Sequence, residues 1–390
     1  MLLLLLAACG PKMGPMYAAE KALALADPPP LTAQWRPDLQ IAIGEAPLER
    51  AALAAIDAGL ESLDLVLKAT VLGGEVSIRP SARVKSVDLR VLPDCEGCLS
   101  ARAELTGQLK WALGPLNGTL PFAAGLGGQP RIQLARHDTG WSVSIRLQSL
   151  DRVSVQVASL RELDVGPLLQ GWVKRGLEKT PPIALGDIGA EGLPLRAMRL
   201  GGGPGALQLE ALTDVPSPGA LPLSHGAPEG EADWEVRVAE QTVLSMARRE
   251  AFKAGPQQLG LAVDPRGLRF NGGDFDLDLR LWHLSGLGWW RDYTIHGELV
   301  MRGEDLVLRG TCADEGEHSP GAALANPLVA LADGLLLDTV TKQLEQALPT
   351  SQKADAGGFV LDAAATRAWG EAGALHLGGR FDLLRSDKRR

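Results

Sequence analysis

Ile41-Ala42-Ile43-Gly44-Glu45-Ala46-Pro47-Leu48 and Val236-Arg237-Val238-Ala239-Glu240-Gln241-Thr242-Val243 are two versions of one pattern. Ile41, Ile43, Glu45 and Leu48 match Val236, Val238, Glu240 and Val243 at a constant offset of 195 residues (236 − 41). In each string apolar residues first alternate, as in a strand with one buried face, and then take helical spacing. The order of elements also repeats outward from these strings. A strand-rich stretch follows, then a second apolar helix. That helix opens at Gly166-Pro167-Leu168 in the first copy and at Asn326-Pro327-Leu328 in the second. The copies close on similar strands, Gly205-Ala206-Leu207-Gln208-Leu209 and Gly373-Ala374-Leu375-His376-Leu377. The pattern predicts an internal duplication.

Within the first copy, Leu53, Ile56 and Leu60 predict a helix over residues 47–61. Leu105, Leu109, Trp111 and Leu113 then alternate with Thr106, Gln108 and Lys110, and Val153, Val155 and Val157 repeat the pattern. Such alternation predicts antiparallel strands with one dry face and one wet face. A helix over 167–179 carries Leu168, Leu169, Trp172 and Val173 on one side, with Pro167 in the first turn, where a missing N–H costs nothing. In the second copy a short helix over 241–253 precedes strands at 259–263, 275–281, 293–301 and 306–308. The helix over 327–348, with Leu328, Leu331 and Leu335, is the most apolar in the chain. The copies differ in their middles. From Ile41 to Pro167 is 126 residues, and from Val236 to Pro327 is 91. The second sheet is therefore expected to have fewer strands or shorter loops.

A chain of 390 residues is long enough for two cores, and its net charge of −8 disfavours nucleic acid and anionic surfaces. The N-terminal Leu6-Ala7-Ala8-Cys9-Gly10 resembles a bacterial lipobox, with Cys9 as the lipidated residue. It departs from the usual signal in being short and in lacking a basic residue before Cys9. Residues 9–39, rich in Pro and Ala, read as a flexible tether. Cys95 and Cys98 cap a hairpin, and an exported chain favours a disulfide between them. Metal binding there would need two further ligands.

Catalytic signatures are missing. His283-Leu284-Ser285-Gly286-Leu287 has His where a nucleophile elbow needs Gly, and neither a phosphate loop nor a His-Glu-x-x-His string occurs. The six histidines are dispersed, and Asn271-Gly272-Gly273-Asp274 reads as a turn before a strand rather than a calcium site. Trp282, Trp289, Trp290 and Tyr293 crowd around one hairpin. They form either a cap on a sheet or an interfacial tip lining a ligand mouth.

Element order and the internal repeat, over about residues 40–384, resemble the tubular lipid-binding superfamily typified by bactericidal/permeability-increasing protein. The resemblance implies an α+β fold of two related units, each a curved antiparallel β-sheet wrapped around a long helix, with apolar tunnels for acyl chains. On that reading residues 1–8 are a signal peptide, 9–39 the tether, 40–215 and 233–385 the two units, 216–232 a Pro/Gly-rich linker, and 386–390 a basic tail. The implied protein is a non-catalytic lipoprotein of the bacterial cell envelope, anchored to the membrane through Cys9. Lipid would be its partner, with a bound phospholipid or fatty acid and no other cofactor. The lipid-binding residues would be Leu168, Leu169, Trp172, Val173, Leu328, Leu331 and Leu335, together with Trp282, Trp289, Trp290 and Tyr293. The alternative is a lipid-anchored scaffold that docks a protein without lipid cargo. Two features depart from the family: its disulfide ties a strand to a helix, which Cys95 and Cys98 cannot do, and its antibacterial members carry a basic tip where this chain is acidic, which disfavours lipopolysaccharide and leaves neutral acyl-chain binding untouched.

Overall fold

The computed structural model describes residues 13–61, 66–71, 74–92, 95–137, 140–157, 170–175, 182–188, 194–203, 205–222, 226–256, 260–286, 288–319, 351–355 and 359–385. A first helix, α1 (Met13–Ala24), precedes the repeat. The first half then runs β1 (Leu39–Gly44), α2 (Glu45–Glu61), β2 (Leu67–Val71), β3 (Gly74–Val91), β4 (Leu99–Leu113), β5 (Leu116–Arg136), β6 (Trp141–Val157), β7 (Ile183–Ile188), β8 (Leu195–Gly203) and β9 (Ala206–Thr213). The second half runs β10 (Trp234–Ala239), α3 (Glu240–Ala254), β11 (Leu261–Asn271), β12 (Asp274–His283), β13 (Trp289–Arg302), β14 (Asp305–His318), β15 (Ser351–Asp355), β16 (Phe359–Glu371) and β17 (Ala374–Arg385).

The expected architecture of two units, each a sheet around a long helix, is overturned. The fold is predominantly antiparallel β, with three sheets and short helices. A seven-stranded sheet has the order β15-β16-β17-β10-β1-β9-β8 and draws strands from both halves. A six-stranded sheet holds β2 to β7 in sequence order, and a four-stranded sheet holds β11 to β14. The halves are joined rather than separate because the two repeated strings pair with each other. Ile41 lies opposite Val236, and Leu39 opposite Val238. Exchanging residue i with i + 195 maps the Ile41–Val236 pair onto itself and carries Leu39–Val238 onto Ile43–Trp234, which is also a pair. A pseudo-twofold axis therefore passes through Ile41–Val236. On either side, β9 and β17 continue the relation, with Leu209 beside Ile41 and Leu377 beside Val236.

The hydrogen bonds repeat as well. The Asp38 N–H donates to the Ala211 carbonyl (3.1 Å), and the Asp233 N–H donates to the Gly379 carbonyl (2.8 Å). The Thr213 N–H donates to Asp38 Oδ1 (2.9 Å) and the Phe381 N–H to Asp233 Oδ2 (3.0 Å). Each aspartate thus fixes the entry to its strand by tying it to a neighbouring strand, which satisfies backbone groups that would otherwise be unpaired. Glu45 and Glu240 open α2 and α3, where a negative charge suits the helix dipole. They accept from the Val91 N–H (2.8 Å) and the Phe270 N–H (2.7 Å).

These bonds explain why no sheet wraps α2. Strand β2 covers the edge of β3 only as far as Ile78. Beyond it Val84, Leu89 and Val91 donate their N–H groups to Asp57, Glu49 and Glu45 of α2. The helix lies along an open strand edge and supplies the acceptors that a further strand would otherwise provide.

The shared sheet has two unlike faces. Leu39, Ile43, Leu207, Leu209, Val238, Leu375 and Leu377 face the main core. Gln40, Gln208, Glu210, Glu235, Arg237 and His376 occupy the other side. Most of these are buried because the chain between the halves crosses over them. Gln40 donates to the Pro222 carbonyl (3.2 Å), Gln208 donates to the Gly226 carbonyl (3.2 Å), and the Glu229 N–H donates to Glu235 (3.0 Å). The described residues of 216–232 form neither helix nor strand, yet they are pinned to the sheet. The tether expected over 9–39 is corrected in part. Residues 13–24 form α1, whose Met13, Tyr17 and Ala24 are buried against Phe252, Ala262 and Trp282.

Candidate functional site

The inward face of the six-stranded sheet is apolar along its whole described length. In β4 the inward positions are Ala103, Leu105, Gly107, Leu109, Trp111 and Leu113, with Arg102, Glu104 and Lys110 pointing out. Register places Leu120, Phe122, Ala124 and Leu126 of β5 on the same side, and Val157, Val155 and Val153 of β6 beside Phe122, Ala124 and Leu126. None of these inward positions is charged. At about 3.3 Å per residue, the stripe from Ala103 to Leu113 alone runs roughly 33 Å.

Trp172 and Val173, in the helical residues 170–175, close over the middle of this face and are fully buried. The Trp172 ring meets Phe122 edge-on at 6.5 Å. Its indole N–H is buried without an acceptor. Around this plug the same face is only half-covered. Trp111, Leu113, Leu120, Val153, Val155 and Val157 are partly exposed, and Leu116 at the β4–β5 turn is 61% exposed.

Two glycines shape the surface. A Cβ on Gly107 would collide with the Phe122 ring, and one on Gly118 would lie 2.8 Å from the Trp111 indole. Each ring therefore lies flat across a facing glycine, which smooths the face. This cross-strand pairing of ring with glycine is a signal that periodicity alone does not reveal.

The other expected site residues fall elsewhere. Cys9, Leu168, Leu169, Leu328, Leu331 and Leu335 lie outside the described residues. Trp282, Trp289, Trp290 and Tyr293 are strand residues flanking the turn at 284–288. Trp289 and Tyr293 belong to the main core, while Trp282 and Trp290 pack under α1. The Arg280 guanidinium lies over Trp290 at 3.7 Å and is held by Asp292 through bonds of 2.6 and 2.7 Å. These aromatics are thus buried against the body rather than displayed at a tip. Cys95 and Cys98 are disulfide-bonded. Among the described residues, no three His, Cys, Asp or Glu side chains could together hold a metal ion.

Charge is concentrated away from the apolar face. Burial pushes the Glu235 carboxyl up, but bonds from His376, Arg237 and the Glu229 N–H outweigh it and bring its pKa to about 2. Burial raises the Asp38 pKa against the lowering effect of bonds from Thr213 and Thr242. Both groups serve the shared sheet. A recess of about 340 Å³ lies between α1, α3 and the crossing chain, lined by Leu23, Gln241, Leu244 and Arg248. Arg248 is already held by Asp264 (2.6 Å) and Glu20 (2.5 Å).

No family model matches the chain, and no curated protein matches it in sequence. Among solved structures, the chain is similar to a lipopolysaccharide binding protein at 12% identity and a TM-score of 0.41. That match covers 90% of this chain and all of the other. It is also similar to P47 of Clostridium botulinum E1, at 7% identity and a TM-score of 0.41, covering 89% of this chain and all of the other. At these scores the likeness does not extend to function or to individual residues.

Proposed function

We propose that this chain is a non-catalytic lipid binder whose first half holds an acyl chain against the inward face of the six-stranded sheet. The observation that carries the reading is the continuous apolar face and the partial exposure of the residues around its plug. An uncharged stripe lined by Trp111, Leu113, Leu120, Val153, Val155 and Val157 continues past the Trp172 plug and is only partly buried. Water against such a surface is unfavourable, and each CH₂ of a bound chain would gain about 0.8 kcal/mol by replacing it. The headgroup would stay at the rim, where the outward Lys and Arg side chains begin. The motif ending at Cys9 supports an anchored protein of the bacterial envelope, with a phospholipid or fatty acid as cargo.

Native mass spectrometry of the purified full chain, with lipid extraction, tests this reading. The expected result is phospholipid or fatty acid at near one per chain, reduced severalfold by Val155→Asp with an unchanged far-UV spectrum. A wild-type chain that is free of lipid and takes up none from vesicles would refute it.

A further inference from the structure

Helix α1 has a locked face and a bare one. Met13, Tyr17 and Ala24 are buried, and Glu20 binds Arg248 at 2.5 Å and Arg266 at 3.4 Å. Tyr17 packs on Phe252 at 5.2 Å and meets Trp282 edge-on at 6.1 Å. The inner side is therefore an interface already made. The outer side is apolar. Between residues 14 and 26 the charges are Glu20 and Lys21, both only partly exposed, and every fully exposed residue is uncharged. Met16 is 37% exposed and Leu23 65%, with Ala18, Ala19 and Ala22 between them; Leu25 follows in the turn after the helix. Surface helices ordinarily turn charge to water, so an exposed face with none marks a contact surface.

The chain preceding α1 identifies the occupant. Cys9 stands four residues before Met13, so an extended link reaches at most about 14 Å. Met13 itself lies against the turn at Gly288. If Cys9 carries lipid, α1 cannot leave the membrane surface by more than that link. We infer that the outer face of α1 rests on the lipid bilayer, with Met16 and Leu23 entering the interface, and that α1 thereby fixes how the body stands on the membrane. The link to Cys9 rests on the anchored reading proposed above; the bare face of α1 does not. The contact is apolar rather than electrostatic. With Glu20 and Lys21 as its only charges and a chain of net charge −8, α1 has no basic patch for anionic headgroups.

The test uses the full chain with Cys9→Ser, floated with phosphatidylcholine vesicles, alongside hydrogen exchange of both this chain and the natural one. We expect measurable flotation that salt does not weaken and that Met16→Glu with Leu23→Glu reduces about tenfold. Leu92→Glu, exposed just after β3, should leave flotation unchanged. The α1 amides should exchange more slowly on vesicles in both chains. Unchanged exchange in both chains, or flotation indifferent to the double substitution, overturns the inference. So does a Cys9→Ser chain that dimerises through α1 and is dispersed by the double substitution, because the face would then cover a second copy. The mass of the mature natural chain separates the two readings. An unmodified Cys9 removes the anchor and leaves flotation and exchange to decide the α1 surface.

Discussion

Glu235→Gln removes one negative charge from the centre of the sheet that joins the two halves. The carboxylate is fully buried, accepts from His376 Nδ1 at 2.9 Å, from Arg237 Nε at 2.7 Å and from the Glu229 N–H at 3.0 Å. Its pKa falls from 4.5 to about 2 on folding, because those bonds outweigh the cost of burial. A depressed carboxylate contributes stability above its unfolded pKa and loses it as pH falls through the folded value. The window is therefore from about 4.5 down to about 2. At about 1.4 kcal/mol per unit the shift corresponds to roughly 3 kcal/mol, and partial exposure of Arg237 trims this to about 2–3 kcal/mol. The amide retains one acceptor oxygen but turns an NH₂ toward a donor. Urea unfolding of both proteins should thus differ by about 2–3 kcal/mol near pH 7, with the gap closing as pH approaches about 2. Because Glu235 belongs to β10 and its partners His376 and Glu229 to β17 and the crossing chain, the loss should move the whole transition rather than split it. A gap that persists undiminished near pH 2 would show that packing, not charge, carries the effect.

Asp38→Asn should behave in the opposite sense. Burial raises the Asp38 pKa above 3.8, so its contribution is present below that value and is lost as pH rises through the folded pKa. The variant should gain on the natural chain as pH rises, and a constant difference in urea midpoint across pH would contradict this. Gly297→Ala should cost about 1–3 kcal/mol, because the new methyl would meet the Phe275 ring and approach the Arg309 carbonyl to 2.7 Å; thermal unfolding measures it. Cys95→Ser with Cys98→Ser should cost at most about 2 kcal/mol, since the bridge spans only three residues in sequence, and lipid binding should be unaffected.

The repeat was legible because alternating strands write their faces directly into sequence. Ile41, Ile43, Val236 and Val238 showed a period of two, and their order was enough to find the duplication. What they could not show was that the two strings pair with each other, since any pair of such strands has compatible faces. The position of α2 was read to within a few residues from Leu53, Ile56 and Leu60, and that of α3 from the repeated strand-to-helix string. The placement of α2 along a strand edge was not, because it depends on Glu45, Glu49 and Asp57 meeting the N–H groups of a strand 27 to 46 residues away. Helix α1 was missed because its buried residues are few and its exposed ones apolar, so no amphipathic period stands out. Pro and Ala dominated the reading of that segment, although Pro15 suits a first helical turn.

The pseudo-twofold relation also bears on which half holds cargo. A strand pair that maps onto itself constrains both copies together, because a change in Ile41 must suit Val236. The outer sheets carry no such constraint, and they are where the copies have diverged, six strands against four. In the second half the inward row of β12 is Phe275, Leu277, Leu279 and Leu281, all 2% exposed or less and packed into the main core. In the first half the central row of the outer sheet is buried too, at Leu105 and Leu109, but Val153, Val155 and Val157 of β6 are only partly buried. The difference between the halves lies along β6, beside the Trp172 plug. A photoreactive fatty acid should therefore label peptides from β4 to β6 and spare those from β11 to β14. Equal labelling of the two sheets would mean that the filled row opens to admit lipid, and would remove the ground for assigning cargo to the first half.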